Sequence, residues 1–240
     1  MPKIYRKVIG DCVDFKIFIP WTGEPQVLES LESIYNLTTI QSIGIEIVLL
    51  EGFGNQEVHQ LIYSEVSTGS VKAVKLDGDM IIEDGHAFLS CIKNLVPDEI
   101  LIYPVFCHIV ERSIYGIHFF GEDVRDLVSP NSLFPDKYSC KNIRKEPFTQ
   151  PPFVSHCRNP IKIQVISFIG HRIRKFVGSK FLRYDYLKPI FLGFVAHPST
   201  IFSFSSLIHI SFGKSYRVFN RNEHEVLISS ISNFFQSSGN

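Results

Sequence analysis

Between Lys137 and Arg221 the chain carries fifteen lysines and arginines and only two acidic residues, Glu146 and Asp185. Its densest part runs through His171, Arg172, Arg174, Lys175, Lys180, Arg183 and Lys188, interleaved with Phe176, Phe181, Tyr184 and Tyr186, and is preceded by Arg158 and Lys162. Cations at this density hold phosphates, and the rings offer faces on which bases stack. Arg158, Lys162, Arg172, Arg174, Lys175, Lys180, Arg183 and Lys188 are therefore the expected phosphate contacts, with Tyr184 or Tyr186 as the stacking group. RNA is the favoured partner. An acidic protein would suit the same charge, and a solvated sheet edge guarded by lysine and arginine is the non-functional reading.

Other reactive residues are weaker signals. His197-Pro198-Ser199 and His209-Ile210-Ser211 resemble the paired His-x-Ser/Thr motifs of the two-histidine phosphoesterases. The resemblance covers these six residues and implies a phosphoesterase in which His197 and His209 serve as acid and base. Strand-end histidines satisfied locally are the favoured reading. Cys107-His108, Cys140 and His156-Cys157 are the nearest approach to a zinc set, but zinc needs converging ligands and usually shows closely spaced pairs, so no metal or cofactor is expected. Asp77-Gly78-Asp79 reads as a hairpin turn before it reads as a carboxylate pair for a metal. The Gly-rich phosphate loops, the GxSxG elbow and the HExxH helix are all missing, which removes the common enzyme classes and favours a non-enzymatic accessory protein.

Charge is unevenly distributed. Residues 1–120 carry a net −8 and residues 121–240 a net +8, so the total of zero hides two opposed halves. Such halves attract an anionic partner, each other, or a second copy. A protein-interaction module, an inhibitor or host-factor binder that self-assembles, is thus the alternative of a different class. Five cysteines without close pairing and a charged first twenty residues fit reduced thiols in the cytoplasm or nucleus. Three alanines against many isoleucines and phenylalanines favour strands, a usage suggestive of a viral accessory protein. The twenty-five residues between Lys188 and Lys214 lack charged side chains, but two prolines, two histidines and six hydroxyl residues argue against membrane insertion.

Periodicity supplies the elements that must position these groups. Val27, Leu28, Leu31, Ile34 and Tyr35 form a helical stripe; Asp84 caps a second helix, and a short one is expected over Glu122–Val128. Ile43–Leu50, Ile100–Phe106 and Ser113–Phe120 read as strands, and Ser70–Glu83 as a hairpin turning at Asp77-Gly78. Residues 56–66 fit helix and strand equally. Ile161, Ile163 and Val165 alternate with Lys162 and Gln164, predicting a strand that would put Arg172 and Arg174 on one face. Phe191–Val195, Ile201–Phe204 and Leu207–Phe212 read as further strands, and Asn222 as the cap of a C-terminal helix with Val226, Leu227, Ile231, Phe234 and Phe235 inward. The expected fold is α+β, mainly antiparallel strands with three or four helices. Three sections are expected, an acidic half (1–128), a proline-rich connection (129–160) and a basic half (161–240), as one domain or two lobes.

Overall fold

A computed structural model describes residues 2–125, 127, 142–177, 190–192, 195–196 and 221–237. Burial of side chains on both faces sets the centre of the sheet. β2 (Phe15–Trp21) and β3 (Ile45–Glu51) bury nearly every residue, as apolar runs do when helices cover both sides. They run parallel, Ile17 opposite Ile47 and Ile19 opposite Leu49. β1 (Lys3–Ile9) joins β3 antiparallel as one edge, and β4 (Lys72–Lys75) joins β2 parallel. Next come β7 (Arg112–Phe120), β6 (Ile100–Cys107), β9 (Val154–His156) and β5 (Met80–Ile82), giving the order β1-β3-β2-β4-β7-β6-β9-β5, with β8 (Ile143–Lys145) beside the start of β6. Two prolines sit where the ladder does not need their missing N–H. Pro20 lies past the end of β4, its carbonyl accepting from Gly78 N, and Pro104 lies at the register shift of β6 on β7.

Helices cover both faces. α1 (Val27–Tyr35), α2 (Leu37–Ile40), α4 (Gly85–Lys93) and α6 (Arg221–Gln236) pack on the face built from Phe15, Ile17, Ile19, Ile47 and Leu49. Asp84 caps α4, its side chain accepting from Ala87 N at 3.0 Å. α3 (Asn55–Thr68) covers the opposite face, with Val58, Ile62 and Val66 against Phe18, Val48, Leu50 and Phe120. α5 (Lys162–Val177) closes a third apolar cluster at the end of β6. No helix among the described residues is long and apolar enough to cross a membrane.

The class is α+β as expected, with two refinements. The sheet is mixed, four pairings antiparallel and four parallel, and six helices lie within the described residues where three or four are expected. The ambiguous stretch 56–66 is helical, within α3. β8 and β9 come from the proline-rich section and add directly to the sheet.

Several expectations are corrected. β4 and β5 do not form a hairpin: β4 pairs with β2 and β7, β5 with β9. Five residue steps join them, roughly 18 Å if fully extended and less because the chain turns at Gly78-Asp79, while four flat strand spacings would measure about 19 Å, so the sheet curls to bring its far end back toward β4. Residues 161–169 are not a strand, because Val165, Ile166, Ile169 and Ile173 recur at helical spacing and outweigh the short alternation before them. Residues 122–125 form turn and coil, and residues 190–192 and 195–196 are helical where a strand is expected. In α6, Leu227, Ile231, Phe234 and Phe235 face inward as expected, whereas Val226 is 67% exposed, and Asn222 is the helix's second residue, not its cap. Strands expected over Ile201–Phe204 and Leu207–Phe212 lie outside the described residues.

Candidate functional site

The densest part of the basic segment begins on α5. Its first turn is pinned to α1 by a buried amide pair: Gln164 Nε2 donates to Gln26 Oε1 at 2.8 Å, and Gln26 Nε2 donates to the Arg158 carbonyl at 2.8 Å. Val165, Ile166 and Ile169 face Cys107, Ile109, Val110 and Cys157. Lys162 and His171 are exposed, and Arg172 is half-buried with its guanidinium 4.9 Å from the centre of the Phe168 ring. A helix turns 100° per residue, so positions 171, 174 and 175 share a face while 172 and 174 lie about 200° apart. Helical spacing therefore groups positions 171, 174 and 175 and separates 172 from 174, where a strand would have put 172 and 174 on one face. Arg158 is bound to Glu83, which also accepts from Ser155 Oγ at 2.6 Å, so part of its charge is used internally. Lys180, Arg183, Tyr184, Tyr186 and Lys188 lie outside the described residues, as do His197 and His209.

An aromatic platform that the sequence reading did not single out stands near α5. Phe148 is 48% exposed and lies 4.4 Å from the Tyr115 ring in a tilted stack, and Lys145 Nζ sits 5.4 Å from that ring. Phe148 lines an open cleft of about 370 Å³ with Val110, Glu111, Arg112, Ser113 and Leu192. Leu192 also packs in the cluster beneath α5, which places the cleft next to the basic helix.

A second polar constellation follows from strand direction. β2, β3, β4, β6, β8 and β9 all run the same way, so their carboxyl ends share one edge of the sheet. That edge is where polar and reactive groups collect in sheets of parallel strands. Here it holds Glu24 after β2, Asp77 and Asp79 after β4, Cys107 ending β6, and His156 and Cys157 at the end of β9. Cys107 and His156 are register partners, and His156 Nδ1 lies 3.1 Å from Cys107 Sγ. Its Nε2 lies 3.4 Å from Asp79 Oδ2. The connections are tight: Gly78 N donates to Pro20 O, Cys157 N to Asp79 O, and a Cβ on Gly78 would come within 2.9 Å of Trp21 Cδ1. Cys157 adopts φ 57°, a left-handed conformation uncommon outside glycine and asparagine.

Electrostatics at this edge are strongly perturbed. Burial works against the His156 imidazolium, but the Asp79 charge, with help from Cys107 and Asp77, overcomes it and pushes the group up to about 9. Burial and the nearby Asp79 charge push the Glu24 carboxyl up to about 7. Burial, then Asp79, raises the Cys157 thiol, which stays protonated. His156 is thus cationic at neutral pH, between an acid and a sulfur. Its two nitrogens point to different partners, so the zinc set considered from Cys107, His156 and Cys157 does not converge. Among the described residues no group of three or more His, Cys, Asp or Glu is arranged for a metal ion, and Cys140 lies outside them.

The chain matches no protein-family model, no curated protein and no solved structure. Sequence reasoning missed both Phe148 and the Asp79–His156–Cys107 chain. Phe148 had a signal, an aromatic residue three positions after Lys145 within the basic segment. Cys107 and His156 are named in the sequence as part of a weak zinc set and Asp79 as part of a turn, but separations of 28 and 49 positions carry no sign that the three meet.

Proposed function

We propose that the protein binds a polyanion, RNA in preference, through the outward face of α5 and the basic stretch that follows it. One observation carries the reading: Lys162–Val177 is a helix with Lys162, His171, Arg172, Arg174 and Lys175 and without a single acidic residue. Helical spacing gathers three of those positions on one side, as a phosphate-tracking surface requires. The neighbouring Phe148–Tyr115 pair would supply a stacking face, a feature that favours unpaired bases over a duplex.

The test is binding to labelled single- and double-stranded RNA and DNA at about 50 and 200 mM salt. Affinity should fall steeply with salt, rank single-stranded RNA first, and drop at least about tenfold on joint Arg174→Glu and Lys175→Glu substitution with the melting temperature kept. Lack of binding at the lower salt, or an affinity indifferent to that double substitution, would overturn the reading. In the first case capture of an acidic protein partner becomes the next measurement.

A further inference from the structure

We propose that the cleft lined by Glu111, Arg112, Ser113 and Phe148 takes one unpaired guanine base of a single-stranded RNA, with Phe148 as the stacking wall and the Glu111 carboxylate as the group that reads the base. This preference rests on the RNA-binding reading above, to which it adds the identity of a base. The wall is already built: Phe148 is 48% exposed, and Tyr115 supports its ring at 4.4 Å. At about 370 Å³ the cleft lies at the lower end of small-ligand sites, roughly 300–1,000 Å³, which suits a base with its sugar and excludes a duplex.

Glu111 is the member that charge alone does not explain. It stands in the turn between β6 and β7 with φ 51°, a left-handed conformation that glycine or asparagine adopts at less cost. Its side chain is exposed and lines the cleft, and no hydrogen bond or ion pair holds its carboxylate among the described residues. A turn that had only to close would do so more easily with glycine, and a negative charge beside a basic helix weakens phosphate binding. Strained residues of this kind collect where a ligand is held.

A carboxylate only accepts hydrogen bonds, through two oxygens. Guanine offers it two adjacent donors on the Watson–Crick edge, N1–H and the N2 amine, so both oxygens are used. Adenine and cytosine set one donor beside a ring-nitrogen acceptor, and uracil flanks its one donor with two carbonyl oxygens. Those acceptors would face the carboxylate and be repelled. Arg112 and Ser113, in the same cleft, supply donors for guanine O6 and N7.

The experiment measures binding of labelled uridine strands of about twelve nucleotides carrying one central guanine, adenine or cytosine, beside the all-uridine strand, at about 50 and 200 mM salt. The guanine strand should bind at least about tenfold tighter than the other three. In Glu111→Gln, which loses one acceptor, that advantage should fall below about threefold while the all-uridine strand binds at least as tightly as before. A folding defect would instead weaken all strands alike. Equal, salt-dependent binding of all strands by wild type overturns the guanine preference and leaves the RNA-binding reading standing, whereas binding of none overturns both. A guanine advantage that survives intact in Glu111→Gln overturns the proposal also.

Discussion

Cys107 on β6 and His156 on β9 face each other across a parallel ladder, with the imidazole Nδ1 3.1 Å from the thiol sulfur and Nε2 turned to Asp79. The residues lie far apart in the chain, yet the pairing of two strand ends brings them together, with Asp79 beside His156 and with Val165, Ile166 and Ile169 in the same cluster as Cys107. Stability should therefore report on this contact through pH.

The His156 group is raised from an ordinary value near 6.5 to about 9 in the folded protein. A raised group binds its proton more tightly when folded, so its contribution is complete below about pH 6.5 and is lost as pH rises through 9. Denaturant midpoints should fall across that window in wild type. In His156→Gln the slope over the same window should flatten, and an unchanged slope would mean that His156 is not paired as described.

Glu24 is held up to about 7 by burial and by Asp79, so its contribution to stability is fully present below about pH 4.5 and is lost as pH rises to about 7, where the folded state too gives up the proton. Glu24→Gln removes the charge and can keep an acceptor for Thr22 N, which donates to Glu24 Oε2 at 2.8 Å. The melting temperature should rise by a few degrees at pH 8, roughly 2–4 °C for each kcal/mol, and change less at pH 5. A fall at pH 8 would mean that the carboxylate is needed for the turn.

Gln164 and Gln26 satisfy each other inside the interface between α5 and α1. Gln164→Leu leaves the Gln26 amide and Ile161 N, which donates to Gln164 Oε1 at 3.1 Å, without that partner. Unsatisfied buried groups cost about 1–3 kcal/mol each. Hydrogen exchange of residues 162–170 should accelerate by about tenfold or more, while β2 and β3 stay protected.

Phe148→Ala tests the platform apart from the charges. Loss of one stacked base costs about 1–3 kcal/mol, so affinity for single-stranded RNA should fall roughly 5- to 150-fold with an unaltered salt slope. Equal loss on duplex and single strand would argue against stacking, because a paired base offers no free face.

Elements with an uninterrupted period were legible in the sequence. Val27, Leu31 and Ile34 set α1, Asp84 announced α4, the apolar runs marked β3 and β6, and Leu227, Ile231 and Phe234 marked α6. These signals are local: a stripe or a cap acts within a few residues whatever the rest of the chain does. The uneven charge was legible for the same reason, since composition needs no fold.

Tertiary structure decided the rest. The alternation of Ile161, Ile163 and Val165 is compatible with strand or helix, and the apolar end of β6, which takes Val165, Ile166 and Ile169 together, selects the helix and redistributes the basic residues around it. Asp77-Gly78-Asp79 does turn the chain, but strand partners are chosen by packing over the whole curled sheet, so β5 pairs with β9 and not with β4. Asp79, Cys107 and His156 meet only because three strand ends converge on one edge. Register and direction are non-local quantities, and a single sequence records the residues without their distances.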